Sequence, residues 1–299
     1  MLKEIHDQPI SVSNALSGRI SADGVNAELG GIHLSPEELR NLDRINLVAC
    51  GSAFYASLIG ASYLREYTNL TVEAFKASEF PHERVCSEKT LTIGVSQSGE
   101  TADTYAALDL CNKHKMKTCS IVNVIESSIA RDSKLVLPIH CGPEIGVAST
   151  KAFLGQMLVL YILCLKIGYL RKDLDKKKYN LKIKSLFSLS KLVSNSLSTE
   201  NQIQSICNSF TKAKGAMFLG RGYSFPIALE GALKLKELAY IHAEGYPAGE
   251  MKHGPLALIE DGMPVVVIAP RDEYYKKTIS NMQEVIARGA KVLLITNKS

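Results

Sequence analysis

The sequence lacks the features of membrane, secreted and thiol-redox proteins. No uncharged apolar stretch reaches the roughly 18 residues that span a membrane. Residues 152–165 come nearest, are interrupted by Gln156, and predict a buried helix, so no membrane partner is expected. The first ten residues contain charges and a proline where a signal peptide has an apolar core. The seven cysteines form no C-x-x-C pair, and we interpret them as reduced core residues of a cytoplasmic protein.

Patterns for nucleic acids, metals and nucleoside triphosphates are also absent. The net charge of +5 is small, and the one basic cluster, residues 171–184, holds a single aromatic, Tyr179. We therefore expect a solvated helical connector there and no nucleic-acid partner. His242 and Glu244 lack a third ligand at a zinc spacing, so neither a metal nor a cofactor is expected. Without a G-x-x-x-x-G-K-S/T loop, a phosphate monoester is favoured over a triphosphate with magnesium.

Apolar runs rich in β-formers alternate with helical patterns through the first half of the chain. This alternation predicts right-handed crossovers and a doubly wound, mainly parallel α/β sheet covered on both faces. The 299 residues, 46% of them hydrophobic, suffice for one large or two medium domains. The predicted strands are 45–50, 71–75, 91–95, 118–124 and 135–141, and the predicted helices are 53–67, 102–114, 127–131 and 150–169.

The second half repeats this plan. The stretch NLVACGSAFYASLIGASYL from Asn46 and the stretch AMFLGRGYSFPIALEGALKL from Ala216 share a strand, a glycine turn and a helix. An internal duplication of one α/β unit is the simplest interpretation, and the second copy is expected to be short or truncated because it ends just after a strand. The expected divisions are a lead-in (1–40), a first domain (41–170), a helical connector (171–200) and an incomplete second domain (201–299). The predicted second-half strands are 216–220, 265–269 and 291–296, and the helices are 227–239 and 274–288.

The stretch LTIGVSQSGET, residues 91–101, is the clearest candidate for ligand binding. A buried strand stops at a hydroxyl-rich, glycine-containing turn that opens a helix, so backbone N–H groups and hydroxyls meet at the positive end of the helix dipole. This arrangement favours an anion, most plausibly a phosphate. Loops 51–53 and 142–150 share the carboxyl edge of the predicted sheet, and the second could also lend N–H groups to a sugar or phosphate oxygen. The alternative is that Ser96, Thr101, Ser149 and Thr150 are ordinary helix caps.

A second concentration of polar residues lies within residues 230–255. Lys234 and Glu237 are three apart on a predicted helix and share one face with Glu230. Such a face is often only a solvated charge ladder. The following stretch, interpreted as an irregular loop, adds His242, Glu244 and a further histidine in EMKHGP, which are groups able to move protons near neutral pH.

These motifs resemble a known family over essentially the whole chain, from KEIHDQP to the last strand. CGS, SQSGETADT, EIGVASTKAF, LGRG and ALEGALKLKELAYIHAEGYPAGEMKHGPLALI are similar to the two sugar isomerase (SIS) domains of the glutamine–fructose-6-phosphate aminotransferases (isomerizing), the glucosamine-6-phosphate synthases. SQSGET alone indicates only an SIS domain, whereas LKLKE with AGEMKHGPLALI is far more specific. The resemblance implies two tandem SIS domains and an isomerase acting in amino-sugar biosynthesis.

The resemblance also implies a ligand and residue roles. The substrate would be fructose 6-phosphate, converted from ketose to aldose, with glucose 6-phosphate as a second hexose 6-phosphate ligand. Glu237 would be the base that moves a proton between C1 and C2, Lys234 would assist it, and His253 would open the sugar ring from the neighbouring copy in a homodimer. The phosphate would be bound by Ser96, Gln97, Ser98 and Thr101 with help from Ser52, and the sugar hydroxyls would be contacted by Val147 and Ser149.

The sequence departs from this family in three ways, and alternatives stay open. The family often has a second hydroxyl residue after the glycine turn, where this chain has Ala53. The sequence as given shows no glutaminase domain before the SIS region, and the family's C-terminal lysine tail would lie beyond Ser299. For a chain without them we expect at most weak isomerase activity. One alternative is a stand-alone amino-sugar phosphate deaminase or deglycase with the same domains. Another is a non-catalytic sugar-phosphate-binding module, as in regulators that join an SIS domain to a helix-turn-helix; the first forty residues predict no such pair of helices.

Overall fold

The alternation of strands and helices forms two separate units in the computed structural model of the chain. The units are Met1–Leu197 and Ser198–Ser299. The structure describes residues 1–30, 34–82, 87–207, 210–211 and 213–297. Each unit has a parallel sheet with helices packed against it, as the apolar runs and the crossover lengths predict. The predicted α/β fold is confirmed.

The first unit is built on a five-stranded parallel sheet with strand order β2-β1-β3-β4-β5. Short 3₁₀ turns lie at Phe80–His82 and Leu186–Ser188. Its elements in chain order are α1 (Leu2–His6), α2 (Gln8–Leu16), α3 (Pro36–Arg40), β1 (Arg44–Ala49), α4 (Gly51–Tyr67), β2 (Thr71–Lys76), β3 (Thr90–Ser96), α5 (Ala102–Lys113), β4 (Lys117–Val122), α6 (Ser128–Asp132), β5 (Leu135–Pro138), α7 (Lys151–Arg171), α8 (Lys176–Ser185) and α9 (Leu189–Leu197).

The second unit has a four-stranded parallel sheet with strand order β7-β6-β8-β9. This order matches β2-β1-β3-β4 of the first unit strand for strand, which agrees with the predicted duplication. Two 3₁₀ segments, Ala248–His253 and Pro255–Leu258, follow β7. Its elements are α10 (Glu200–Cys207), β6 (Gly215–Gly220), α11 (Ser224–Ala239), β7 (His242–Pro247), β8 (Pro264–Ile268), α12 (Tyr275–Ile286) and β9 (Lys291–Ile295).

The strand orders determine where a ligand can bind. From β1 the chain crosses to β2 on one side and then returns to β3 on the other side, so the order reverses between β1 and β3. The loops that leave the carboxyl ends of these two strands diverge there and leave a crevice. Residues 97–101 follow β3, which ends at Ser96, and α4 begins at Gly51, two residues after the end of β1.

Helix α7 explains the most apolar stretch of the sequence. By length and composition it could cross a membrane, but 67% of its most apolar window is buried within the protein. It packs against α4, α2, α3 and α8. The predicted buried helix is therefore found, and it forms the centre of the first unit's core together with β-strand residues such as Ile45, Leu47, Ile93 and Ile121.

Three expectations from the sequence differ from the structure. Residues 242–247, expected as an irregular loop, form the edge strand β7, which pairs with β6 in parallel. The first forty residues, expected to lack the paired helices of a helix-turn-helix, contain the short helices α1 and α2. Helix α2 packs against α7 and α9 and buries Val12 and Ala15. The connector is only partly solvated: Tyr179 of α8 is fully buried, and its hydroxyl oxygen accepts the Ala27 N–H at 2.6 Å.

Candidate functional site

The loop after β3 is folded around two hydroxyl groups. Ser96, the last residue of β3, is 2% exposed, and its Oγ lies 2.9 Å from Thr101 Oγ1. Ser96 Oγ also accepts the Gly99 N–H at 3.0 Å, and Ser98 Oγ accepts the Glu100 N–H at 3.2 Å. These bonds close residues 96–101 into a compact turn, with Gln97 and Ser98 half-buried at its bend.

The Thr101 hydroxyl does not cap the helix that it precedes. Thr101 is the N-cap residue of α5, but in α5 as described here no side chain makes a capping hydrogen bond, because the Thr101 hydroxyl is bonded to Ser96 instead. The interpretation of Thr101 as an ordinary cap is therefore wrong. The first-turn N–H groups of α5, at the positive end of its dipole, lie beside two hydroxyls and remain available to an anion.

Helix α6 anchors this loop from behind. The Ile129 N–H donates to the Gly99 carbonyl at 3.0 Å, and the Ser128 N–H donates to Glu100 Oε1 at 2.7 Å. The second bond lowers the pKa of Glu100 below its ordinary value. Gly99 has φ +66°, and a Cβ at that position would overlap the Ser127 hydroxyl. Both the backbone angle and the close approach of α6 thus require glycine at position 99.

Asn123, which sequence analysis missed, ties this loop to the neighbouring one. It directly follows β4, and its backbone N–H donates to the Gln97 carbonyl at 3.1 Å. Its side-chain amide accepts the Cys141 N–H at 3.1 Å and donates to the Gly142 carbonyl at 2.8 Å. One residue therefore sets the separation of loops 96–101 and 142–150. Its place directly after a buried strand is the signal that could have identified it.

Acidic side chains of the protein accept several N–H groups of loop 142–150 and of the start of α7. Glu144 Oε1 accepts the N–H groups of Thr150 and Ala152 at 2.8 and 3.3 Å, and Ser149 donates its hydroxyl to Glu144 Oε2 at 3.0 Å. Glu144 is thus the cap of α7, and neither Ser149 nor Thr150 is. Because a carboxylate already occupies this helix end, the expectation that the loop offers these N–H groups to a phosphate is wrong. The Val147 side chain is 93% exposed.

Ser52 lies in the first turn of α4, at the same edge of the sheet as residues 96–101. The helix begins at Gly51, which has φ +55°, and in the described structure the N-cap residue Cys50 gives no side-chain hydrogen bond. Ser52 is half-buried. The first unit therefore has hydroxyl-bearing turns at both strands that flank the reversal of strand order.

In the second unit, Lys234 lies between two carboxylates of α11. Its Nζ is 2.7 Å from Glu237 Oε2 and 3.2 Å from Glu230 Oε1. The side chains of Glu230, Lys234 and Glu237 are 8%, 17% and 31% exposed. A solvated charge ladder is fully exposed, so that interpretation does not fit these residues. Glu237 is the most accessible of the three, and its Oε2 makes the shorter of the two contacts with Lys234.

The remaining titratable residues of this region have separate environments. His242 and Glu244 lie on the same face of β7, 3.4 Å apart. Tyr246 also donates its hydroxyl to Glu244, which raises the pKa of Tyr246 to about 12. His253 ends the 3₁₀ segment after β7 and is exposed. Among the residues that the structure describes, no group of three His, Cys, Asp or Glu side chains could hold a metal ion.

The sequence matches a known protein family over the segments that hold the two sheets. A family model described as SIS domain matches residues 38–166 and 209–299. The chain belongs to the SIS domain family. Both sheets lie within the matched segments, and the two hydroxyl-bearing turns of the first unit lie in the first of them.

The resemblance to the aminotransferase family is confirmed. The chain is 47% identical to the glutamine–fructose-6-phosphate aminotransferase (isomerizing) of Bradyrhizobium diazoefficiens, over 99% of this chain and 49% of that protein. It is 40% identical to the C-terminal domain of glucosamine-fructose-6-phosphate aminotransferase from Francisella tularensis, with a TM-score of 0.95, over 99% of this chain and 84% of that one. The chain thus spans about half the length of the curated relatives it matches.

The fold is also found in a glucosamine-6-phosphate deaminase from Thermotoga maritima. That structure is 24% identical to this chain, with a TM-score of 0.77, over 98% of this chain and 84% of that one. At this identity the likeness is one of fold alone.

Proposed function

We propose that the chain binds hexose 6-phosphates and interconverts fructose 6-phosphate and glucose 6-phosphate, as the isomerase part of an amino-sugar-forming aminotransferase. The observation that carries this proposal is the turn at residues 96–101, where the Ser96 and Thr101 hydroxyls, 2.9 Å apart, stand at the uncapped start of α5. The similarity to the aminotransferase half supports the choice of ligand.

The phosphate is assigned to this turn and the sugar to its neighbour. Ser96, Gln97, Ser98 and Thr101 supply hydroxyl, amide and backbone donors for the phosphate oxygens, with Ser52 of α4 as a further donor. Loop 142–150 is tied to the same turn through Asn123 and carries Val147 and Ser149, which we assign to the sugar. Carboxylates already accept the N–H groups of residues 145, 146 and 150 in this loop, which favours neutral hydroxyls over a further anion there.

The proton transfer is assigned to Glu237. As base, its carboxylate removes a proton from C1 of the open-chain ketose, and the electron pair forms an enediolate across C1 and C2 as the carbonyl oxygen takes up negative charge. The O1 hydroxyl then loses its proton and O2 gains one, so that O1 becomes the new carbonyl oxygen as the carbon-bound proton is returned to C2, which gives the aldose. Lys234, 2.7 Å from the carboxylate, keeps Glu237 oriented and balances its charge.

Ring opening is assigned to His253. An imidazole can donate a proton to the ring oxygen and accept one from the anomeric hydroxyl near neutral pH. Its exposed position suits action on a ligand bound to a second copy of the chain, so the proposal includes a homodimer.

The proposal also places the protein in the cytoplasm. The free cysteines among the described residues suit such a location.

The phosphate assignment is tested by ligand-induced thermal stabilisation. Glucose 6-phosphate should raise the melting temperature of the chain in a concentration-dependent way, and Ser96→Ala with Thr101→Ala should abolish the shift. Ser133→Ala is the control, because it removes a hydroxyl of the same unit that donates to the Ile129 carbonyl of α6. An unchanged response in the double variant would remove the phosphate assignment.

The base assignment is tested by isotope exchange. Incubation of fructose 6-phosphate with the chain in D₂O should place deuterium at C1 or C2, as followed by NMR, and Glu237→Gln should slow this exchange by about 10²- to 10⁴-fold. Glu250→Gln, which changes an exposed carboxylate of the neighbouring 3₁₀ segment, should leave it unchanged. Exchange at the parent rate in Glu237→Gln, with ligand binding retained, would contradict the assignment. Binding without exchange in the parent chain would indicate a binding module.

A further inference from the structure

The N-terminal segment, residues 1–19, makes a row of polar contacts with the end of β5, the start of α7 and the segment between them. Ser11 Oγ donates to the Cys141 carbonyl at 3.1 Å, and Asp7 lies 3.8 Å from the ammonium group of Lys151, a residue only 5% exposed. Arg19, itself buried, donates to the Pro138 carbonyl. The N-terminal segment is therefore packed along the whole approach to loop 142–150.

Glu4 of α1 makes the most direct contact with that loop. Its Oε1 accepts the Ile145 N–H at 2.7 Å and the Gly146 N–H at 3.0 Å. The Glu4 side chain is 10% exposed, and a Cβ at position 146 would overlap Glu4 Oε2. The two backbone donors, that of Gly146 first, lower the pKa of Glu4, so the group is a carboxylate at neutral pH. An ionised, nearly buried acceptor thus sits on two consecutive N–H groups of the loop.

The loop has little else to fix residues 145–147. The Ile145 and Val147 side chains are 88% and 93% exposed, so they do not hold the chain in place by packing. The shape of this stretch therefore depends on hydrogen bonds to its backbone. On one side these come from Glu144, which holds residues 149–152, and on the other from Glu4, which lies 141 residues away in sequence.

We propose that Glu4 is a positioning residue for sugar recognition: its carboxylate holds the backbone of residues 145–146 so that Val147 and Ser149 face the ligand in one fixed arrangement. This inference rests on the proposed function, since it takes loop 142–150 as the part of the site that contacts the sugar. It assigns the KEIHDQP segment a role in ligand binding. Glu4 itself does not touch the ligand.

The test separates sugar binding from phosphate binding. Affinities for glucose 6-phosphate and for inorganic phosphate are measured by thermal shift for the parent chain, Glu4→Ala, Glu4→Gln and the control Glu28→Ala, which removes an exposed glutamate of the same segment. We expect Glu4→Ala to weaken the affinity for glucose 6-phosphate by about tenfold, equivalent to about 1.4 kcal/mol, and to leave the affinity for inorganic phosphate unchanged. Glu4→Gln keeps a carbonyl oxygen for both N–H groups and should restore most of the affinity.

Hydrogen exchange provides a readout that needs no ligand. In Glu4→Ala the amides of residues 145 and 146 should exchange faster, while β3 and β4 keep the protection of the parent chain. Equal weakening of both ligands, or glucose 6-phosphate affinity within twofold of the parent in Glu4→Ala, would overturn the inference. If the parent chain binds no glucose 6-phosphate, or if the Ser96 and Thr101 double variant binds it normally, that result contradicts the proposed function on which this inference rests.

Discussion

Replacing Gly99 by alanine tests whether the candidate phosphate turn requires a glycine for two separate reasons. The first is the backbone, because φ is +66° and an L-residue in the left-handed region is destabilised by about 1–2 kcal/mol. The second is space, because a Cβ would overlap Ser127 Oγ and lie 2.5 Å from Ser127 Cβ. Forcing atoms into a packed site typically destabilises by a further ~1–3 kcal/mol. Gly99→Ala should therefore lower the stability of the first unit by about 2–5 kcal/mol.

Two further variants separate these effects. Gly18 has φ +70° and no atom within 4 Å of a Cβ built on it, so Gly18→Ala carries the backbone penalty alone and should be destabilised by about 1–2 kcal/mol. Ser127→Gly removes both clashing atoms, leaves Val122 Cγ1 at an ordinary 3.4 Å, and weakens the α6 cap by only a few tenths of a kcal/mol, about the effect of glycine at any N-cap. In the Gly99→Ala, Ser127→Gly double variant, about 1–3 kcal/mol of the loss should return.

The assay must report on the first unit alone. The chain has no tryptophan, and two units in one chain make a single spectroscopic transition ambiguous. Hydrogen exchange of β3 and β4 amides, followed by mass spectrometry in increasing urea, measures opening of that unit's core. If Gly18→Ala is as destabilised as Gly99→Ala, or if Ser127→Gly restores nothing, the close approach of α6 is not what requires glycine at position 99.

Two further predictions concern the supports of the site. Asn123→Ala removes two side-chain hydrogen bonds and leaves the buried Cys141 N–H without its acceptor. It should destabilise the first unit by about 2–4 kcal/mol, measured by the same exchange assay. Asn123→Asp should keep the acceptor and lose less stability. The N–H groups of Gly146 and Ile145 and the Met1 amino group lower the pKa of Glu4 in the folded state. The stability difference between the parent chain and Glu4→Gln should therefore be constant above about pH 5.5. It should shrink as the pH falls below 4.5, the ordinary pKa of a glutamate. A difference that grows on acidification in urea titrations would contradict this sign.

The sheet and the position of the turn at residues 96–101 could be predicted because their signals are local. Buried parallel strands are short apolar runs, and the switch from an apolar run to SQSGET marks the strand end and the helix start within eleven residues. The internal similarity of the two halves carries the same signal twice. The observed order β2-β1-β3-β4 in one unit and β7-β6-β8-β9 in the other follows from that repeat.

Strand β7 could not be predicted from its residues. The sequence HAEGYP contains a glycine and a proline, which are signals for a turn, and the strand lies at the edge of its sheet, where half of its side chains need no apolar character. Its glycine is explained only by tertiary packing. A Cβ on Gly245 would lie 2.8 Å from the Leu229 Cα, so the strand needs glycine to lie close against α11.

The contacts that shape loop 142–150 were missed for a different reason. Glu4, Asn123 and Glu144 act through backbone groups, and a carboxylate or amide that binds a distant N–H leaves no periodic pattern in the sequence. Glu144 is an unusual cap, since it lies six residues before Thr150 rather than at the N-cap itself. Asn123 at least follows a buried strand directly, but only the folded arrangement identifies Glu4 and Glu144 as structural supports of the loop.

The distribution of acids around the sheet edge decides how a sugar phosphate would lie. At α7 the helix end carries Glu144, and the adjacent N–H groups of residues 145–146 carry Glu4, so two carboxylates occupy the donors and repel a further anion. At α5 the described side chains leave the helix end uncapped, and Glu100 is turned away to bond the Ser128 N–H. A phosphate is therefore favoured at residues 96–101 and disfavoured at loop 142–150. The uncharged end of the ligand would then lie toward loop 142–150.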